Sequence, residues 1–222
     1  MTGLLLAAAI ALLSGCAGST QPQTSMAPAV VAASPQILHR LVLAAPKGEG
    51  SLELRREGEV YRAYGGIVVA DDVGQWRFAY TKTSLEGAGL AAGEWIDGLH
   101  ALSVVVINTS PRDVQIDWDR STFVDPIGRT HRIIHRGVQL NQLSAPMVPS
   151  VIAAGATLNE FVFPAGGVTF SAPGGRASLW NVPAVFERLT PGAGFSVVLA
   201  IKAGDAVGPR TFRFAAVAPP PA

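Results

Sequence analysis

The chain is short of cysteine, of charge and of long apolar runs, and each shortage excludes a class of protein. Cys16 is the only cysteine among the 222 residues, so no intramolecular disulfide can form. Charged residues make up 15% of the chain and the formal net charge is +1, which gives no electrostatic case for binding nucleic acid. The N-terminal apolar run, LLLAAAIALL at residues 4–13, is too short to span a bilayer.

That apolar run predicts the hydrophobic region of a secretory signal instead. Leu-Ser-Gly-Cys at residues 13–16 follows directly and resembles the lipobox of bacterial lipoproteins, in which the cysteine takes a diacylglyceryl group and becomes the mature N-terminus. The resemblance implies lipidation of Cys16 and a lipid anchor in the membrane. Ala17 follows the cysteine, and by resemblance to enterobacterial lipoproteins this implies the outer membrane.

Other interpretations of the N-terminus stay open. They are ordinary signal cleavage and a short buried apolar segment. Residues 1–3 contain no Lys or Arg, although secretory signals usually begin with a positively charged region. This observation leaves open that translation starts upstream.

Composition divides the chain into four parts. Residues 1–16 are the predicted lipoprotein signal. Residues 17–36 carry no charge and consist mostly of Ser, Thr, Gln, Pro and Ala, which predicts a flexible linker. Turn signals then recur about every ten residues, so residues 37–217 are predicted to form an all-β domain, an antiparallel β-sandwich of immunoglobulin-like or related type. Residues 218–222 are a Pro-rich tail that we expect to be disordered.

Strands are predicted where apolar residues alternate or run together. Residues 60–69 are interrupted by Gly65-Gly66, which indicates a bulge or a close backbone approach. Residues 101–108 form a nearly continuous apolar run, typical of a central strand. Further strands are predicted at residues 37–44, 52–56, 75–83, 161–163 and 168–171, with a closing hairpin of 195–202 and 211–217 around Gly204-Asp205. Whether residues 37–98 form a separate subdomain stays open.

Polar chemistry is concentrated in residues 113–136, which hold four Asp and two of the four His. The alternation of Val114, Ile116 and Trp118 with polar residues predicts a half-buried strand. The sequence Asp125-Pro126-Ile127-Gly128 predicts a type I turn, because Asp favours its first position, Pro its second and Gly its fourth. A returning strand then covers residues 129–136.

Counting outward from this turn gives a register for the hairpin. Asp125 would pair with Arg129, and the next pairs would be Phe123 with His131, Ser121 with Ile133, and Asp119 with His135. In that register one sheet face carries Asp117, Asp119, His131 and His135, while Trp118 and Arg136 lie on the other. A slip of one residue, or a bulge near Arg120, would change the faces.

The run I-D-W-D-x-S-x-F-x-D-x-x-G-x-x-H-R-x-x-H, at residues 116–135, resembles a signature of uncharacterised bacterial lipoproteins and secreted proteins. The resemblance extends to Ser-Val-Ile at 150–152, to residues 159–164 and to a late Phe-x-Phe strand, and so covers roughly the last half of the chain. It supports the fold class and the envelope address, and it implies no reaction.

Two chemical hypotheses follow from the predicted face. If Asp119, His131 and His135 converge, imidazole and carboxylate together suit zinc or another first-row divalent metal. The ordinary alternative is a cross-strand ion pair of Asp119 with His135, worth about 0.2–1 kcal/mol. Ser121 with His131 and an Asp resembles a hydrolase triad, but the chain contains no Gly-x-Ser-x-Gly elbow. We therefore assign no catalytic residue.

Arg132 and Arg136 are candidate contacts for a phosphate or carboxylate of an envelope polymer. Pairing with Asp117 or Asp125 is the ordinary alternative. The sequence thus predicts a lipid-anchored protein of the outer membrane that faces the periplasm or the cell surface. We expect a non-catalytic binding or structural module without a cofactor, whose partner is an envelope protein or polymer. The alternatives are a divalent-metal-binding envelope protein and an envelope hydrolase.

Overall fold

The structure, a computed structural model, describes residues 36–57, 60–81, 101–138, 143–171, 179–181, 186 and 189–219. These residues form β-strands only, which confirms the all-β prediction, and none of them belongs to a helix long and apolar enough to cross a membrane. The strands are β1 (Gln36–Ala45), β2 (Glu49–Glu57), β3 (Val60–Ala70), β4 (Gly74–Thr81), β5 (Ala101–Asn108), β6 (Val114–Val124), β7 (Thr130–His135), β8 (Ser150–Ile152), β9 (Thr157–Pro164), β10 (Thr169–Ser171), β11 (Leu179–Asn181), β12 (Gly194–Ala203) and β13 (Ala206–Val217).

Ten of these strands close into an antiparallel barrel, so the predicted β-sandwich is wrong. The order around the barrel is β12-β13-β1-β2-β3-β4-β5-β9-β7-β6, and β6 pairs again with β12. This closing ladder runs from Ser196 opposite Val124 to Ala203 opposite Val114. A strand with one buried face shows the same alternation in a sandwich and in a barrel. Local pattern therefore predicts the strands but not the pair that closes the ring.

Most of the predicted strands are confirmed. Strand β5 has the predicted bounds, and β12 and β13 form the predicted hairpin around Gly204-Asp205. At Gly65 the close backbone approach is confirmed, since φ is +83° and an added Cβ would lie 2.4 Å from the carbonyl oxygen of Ser51. The predicted signal, the linker up to residue 35 and the last three residues lie outside the described part of the chain.

The interior of the barrel is filled by aromatic side chains in contact with one another. The Phe212 ring lies 5.1 Å from Trp76 and 4.8 Å from Phe78, and the Phe195 ring lies 4.8 Å from Phe214 and 5.1 Å from Phe123. All six are at most 3% exposed. Burying one large apolar side chain contributes about 1.5–3 kcal/mol, so this aromatic chain is a main source of stability.

Between β9 and β6 the barrel wall contains one interrupted strand. Strand β12 occupies one edge of β6, and the other edge pairs with β7 at residues 122–124 and with β8 at residues 114–116. Both β7 and β8 are antiparallel to β6, so they run in the same direction along the same edge. The chain leaves the wall after β7 and re-enters it as β8. The residues between these strands that the structure describes are 136–138 and 143–149, and we call them the excursion.

Asn108, the last residue of β5, connects the loop that follows β5 to the end of β8. It is fully buried, and its side-chain nitrogen donates to the carbonyl oxygens of Arg112 at 2.8 Å and Ile152 at 2.9 Å. Its side-chain oxygen accepts from the backbone nitrogen of Ser110 at 3.0 Å. The loop between β5 and β6 is thereby tied to the end of β8.

We expect Asn108→Ala to lower the free energy of unfolding by about 2–4 kcal/mol, because the carbonyl group of buried Ile152 would lose its donor and the buried side chain would leave a cavity. Urea denaturation measures the change. Asn159→Ala is the matched control, since Asn159 is an exposed residue of β9, and it should alter stability by less than about 0.5 kcal/mol. Equal effects of the two substitutions would contradict this account of Asn108.

Candidate functional site

The turn between β6 and β7 is the one predicted from the sequence. The backbone nitrogen of Gly128 donates to the carbonyl oxygen of Asp125 at 2.9 Å, and Gly128 has φ +82°. The backbone nitrogen of Asp125 donates to the carbonyl oxygen of Arg129 at 2.9 Å. Phe123 pairs with His131 as predicted, so the register near the turn is confirmed.

The carboxylate of Asp125 organises this turn and engages His131. It accepts from the backbone nitrogens of Ile127 at 3.1 Å and Arg129 at 2.8 Å, from Nε of Arg129 at 2.9 Å, and from Nε2 of His131 at 2.9 Å. Burial by itself would raise the pKa of Asp125, but these donors outweigh it and hold the pKa well below its ordinary value. His131 therefore serves the turn, and its ring lies against Gly166, where an added Cβ would be 2.0 Å from Nδ1.

The predicted register fails beyond Arg132, for two reasons. Strand β7 leaves β6 there and pairs with β9, with Ile133 opposite Pro164 and His135 opposite Val162. Strand β6 bulges at residues 118–121, because Val198 of β12 pairs with Thr122 while Ala200 pairs with Asp117. The predicted pairs of Ser121 with Ile133 and of Asp119 with His135 are therefore wrong.

Ser121 holds the bulge together. Its hydroxyl donates to the carbonyl oxygen of Asp117 at 2.6 Å and accepts from the backbone nitrogen of Ala200 at 3.0 Å. The residue is fully buried, and its hydroxyl takes the place of a backbone group in the ladder. Ser121 and His131 are thus both committed to other partners, so the described geometry does not form the Ser-His-Asp arrangement of a hydrolase.

Asp119 and Arg132 fasten the excursion to the hairpin. Arg132 donates to the carboxylate of Asp119, to the carbonyl oxygen of Leu143 and to that of Ala145, the last at 2.5 Å. Asp119 also accepts from the backbone nitrogen of Met147 at 3.1 Å. The Arg132 guanidinium and the Met147 amide lower the pKa of Asp119. Arg132 is consequently engaged with the protein itself, and it is a poorer candidate for contacting an anion than the sequence indicated.

His135 lies on the Trp118 side of the hairpin, contrary to the predicted opposite face. The two rings stack with centroids 4.3 Å apart and planes inclined by 14°. The His135 side chain is nine-tenths buried, and its Nδ1 lies 3.9 Å from Oε1 of Glu160 without a hydrogen-bond partner among the described residues. Trp118 is held in turn by a 2.9 Å hydrogen bond from Nε1 to the hydroxyl of Ser150. The bulge in β6 is the physical reason for the change of face.

A cavity of about 340 Å³ opens where β7 ends and the excursion returns. Its described lining comes from the two ends of the excursion and the last residue of β7: His135, Arg136, Gly137, Val138, Ala145, Pro146, Met147 and Val148. The volume lies in the range of small-molecule sites, and a mostly apolar wall with a few polar groups is typical of them.

The four residues of the predicted metal cluster do not converge. Asp117 pairs with Arg120 at 3.6 Å, Asp119 with Arg132, and His131 with Asp125, while His135 stacks on Trp118. Within the described ranges no three His, Cys, Asp or Glu residues are grouped so as to hold a metal ion. The described geometry therefore gives no support to the metal hypothesis, which required Asp119, His131 and His135 to converge.

Arg136 is the described cavity residue with a cationic side chain. Its backbone nitrogen donates to Oε2 of Glu160 at 3.0 Å, and its guanidinium lies 5.6 Å from the centre of the Phe161 ring. No ion pair joins it to a described acidic side chain. Of the two arginines that the sequence proposed for an anion, Arg136 is the one left available.

Sequence reasoning missed Glu160 and the apolar residues of the excursion. Glu160 shares its strand face with Val162, two residues further on, and both are buried. An acidic residue on the apolar face of a strand was the available signal. Met147 and Ala145 belong to a segment without strand periodicity, so nothing local placed them beside β7.

No family model matches the chain, and neither the curated proteins nor the solved structures contain a match.

We expect Asp125→Asn to lower the free energy of unfolding by about 1.5–3 kcal/mol at pH 7, because hydrogen bonds to a charged acceptor are lost. The folded pKa of Asp125 is depressed, so its contribution is present above its unfolded pKa of about 4 and is lost as the pH falls. The difference between wild type and variant should therefore shrink between pH 5 and pH 2.

Urea denaturation at pH 7 and pH 3 measures this dependence. Asp205→Asn, in the exposed turn between β12 and β13, is the control and should change stability by less than about 0.5 kcal/mol at either pH. A deficit in Asp125→Asn that stays constant with pH would contradict the carboxylate's role.

Proposed function

We propose that this protein is a lipid-anchored, non-catalytic module of the bacterial cell envelope that binds a small ligand in its barrel wall. The observation that carries the proposal is the cavity of about 340 Å³ at the interrupted strand, backed by the nine-tenths buried His135. Concave sites with mostly apolar walls and a few directed polar groups are where proteins bind small molecules.

The arrangement of the polar side chains supports binding rather than catalysis. Ser121, His131 and Asp119 each hold backbone or turn structure and are not directed together at an open space. A catalytic site needs a nucleophile or base within hydrogen-bond reach of a position that a substrate can occupy. The metal-binding and hydrolase alternatives therefore gain no support from the described residues.

The proposed cellular location of the protein is supported by the sequence alone. The apolar run at residues 4–13, the Leu-Ser-Gly-Cys motif and Ala17 support an outer-membrane lipoprotein facing the periplasm or the cell surface. One acyl chain binds a membrane only marginally, so the multiple acylation of a lipoprotein would make the anchor stable. The uncharged segment at residues 17–35 would then serve as a tether between anchor and barrel.

The anchor is tested by labelling with radioactive palmitate in a Gram-negative host. Because residues 1–3 lack a positive charge, the chain is expressed with two lysines inserted after Met1. We expect label in the membrane fraction with the wild type and none with Cys16→Ala. Ala17→Asp should keep the label but move the protein to the inner membrane. An unlabelled wild type would contradict the proposed address.

Binding is tested by screening small fragments by NMR against the full chain carrying Cys16→Ser. The Trp118 indole NH, identified with Trp118→Phe, is the reporter because its ring backs onto His135 beside the cavity. Fragments that shift this signal should bind at least about tenfold more weakly (1.4 kcal/mol) when the cavity is filled by Ala145→Trp or by Val148→Trp.

Ala44→Trp is the matched control, because Ala44 is an exposed residue of β1, outside the cavity lining. It should leave fragment binding unchanged. A screen in which no fragment distinguishes the wild type from both cavity-filling variants would refute the binding function.

A further inference from the structure

Among the described residues that line the cavity, none carries a negative charge. Of the eight described lining residues, only His135 and Arg136 have polar side chains, and neither is acidic. The remaining six contribute backbone and apolar groups, with Met147 buried and Val148 81% exposed at the rim. A ligand in this space would therefore meet an imidazole, a guanidinium and apolar walls.

The carboxylates near the cavity face other partners. Glu160 accepts from the backbone nitrogen of Arg136 at 3.0 Å, and its other oxygen lies 3.9 Å from Nδ1 of His135. Asp119 accepts from Arg132 and from the backbone nitrogen of Met147. Each acid thus binds a backbone amide of the excursion and positions one end of the cavity without lining it. The Arg136 guanidinium is left without an acidic partner among the described side chains.

The position of Arg136 is defined by its surroundings. Its backbone is fixed by Glu160, and the guanidinium lies 5.6 Å from the centre of the Phe161 ring, a distance at which cation–π attraction operates. Guanidinium presents paired N–H donors that match the geometry of carboxylate and phosphate oxygens. A guanidinium group beside an apolar cavity is suited to a ligand that carries an anionic group on a small hydrocarbon framework.

We infer that the cavity binds a small organic anion, a carboxylate or phosphate monoester with a compact apolar body. The anionic group contacts the guanidinium of Arg136, and the apolar body lies against Met147 and Val138, over the rim residue Val148. This inference rests on the proposed binding function and names the ligand class for the same site. Arg136 recognises the anionic group, and the apolar lining contacts the hydrocarbon part of the ligand.

The test uses four probes that share a phenyl ring and differ in the polar group: benzoate, phenyl phosphate, benzyl alcohol and benzylamine. They are titrated into the full chain carrying Cys16→Ser, with the Trp118 indole NH as the reporter. We expect the two anions to bind up to about fivefold more tightly than the alcohol and the amine, since an ion pair with an exposed arginine contributes up to about 1 kcal/mol. Anion affinity should also fall as salt is added.

Arg136→Gln should remove the preference for anions and leave the affinity for benzyl alcohol unchanged, and Arg136→Lys should restore part of the preference. Arg77→Gln is the matched control, because Arg77 is an exposed arginine of β4 that does not line the cavity. It should change no affinity. The use of two substitutions at Arg136 separates loss of charge from loss of fold.

Three results would overturn the inference. They are equal binding of alcohol and anions, an anion preference that survives Arg136→Gln, and no binding of any probe. In the first two cases Ala145→Trp still reports whether the cavity is the site, so the proposed binding function would stand without this ligand class. In the third case the fragment screen decides separately whether the cavity binds anything.

Discussion

One constraint shapes the barrel wall around the cavity. Where a strand of the wall is interrupted, the backbone groups of the chain still need hydrogen-bond partners. Between the end of β7 and the start of β8 the described residues of the excursion belong to no strand, so their backbone groups need partners outside the ladder. Buried backbone groups without partners cost about 1–3 kcal/mol each. The chain meets this cost with side chains: Asp119 and Glu160 accept backbone amides of the excursion, and Arg132 donates to two of its carbonyls. The cavity is the space that these bonds hold open.

A filled interior makes this wall the natural place for a site. Small barrels either fill their interior with side chains or leave room for one ligand. Here ring contacts lead from Trp76 through Phe212, Phe78, Phe214 and Phe195 to Phe123, and each ring is buried. A ligand placed there would have to displace core residues. At the interrupted strand, by contrast, the wall residues are already held apart by polar contacts.

Sequence reasoning succeeded where structure is determined by neighbours in the chain. The Asp125–Gly128 turn set the register through Phe123 and His131, because each pair there follows by counting from a defined reversal. Sequence reasoning failed where the pairing depends on a strand that is distant in the chain. The bulge at residues 118–121 depends on β12, through Ala200 and the Ser121 hydroxyl, and the exit of β7 depends on β9. Neither partner is visible in residues 113–136, so the predicted face of His135 was wrong.

The sequence did not predict that the barrel closes, for the same reason. Strands β6 and β12 each alternate as a half-buried strand should, and that pattern is equally compatible with a sandwich edge. What distinguishes the barrel is that Ile201 of β12 pairs with Ile116 of β6 in the closing ladder, and no short sequence pattern connects these two residues. Of the fold, the all-β class and the positions of the strands were therefore within reach of the sequence, and the closed barrel was not.

The bulge in β6 links the closed ring to the candidate site. By holding four residues of β6 opposite one of β12, it brings Phe123 onto the buried face that already carries Trp118. It also leaves Asp119 where it meets Arg132 and Met147. Trp118 then supplies the flat surface on which His135 stacks at 4.3 Å. A regular β6 would send Trp118 and His135 to opposite faces, as simple alternation requires. The strand irregularity that defeated the register prediction is thus the feature that assembles the cavity wall.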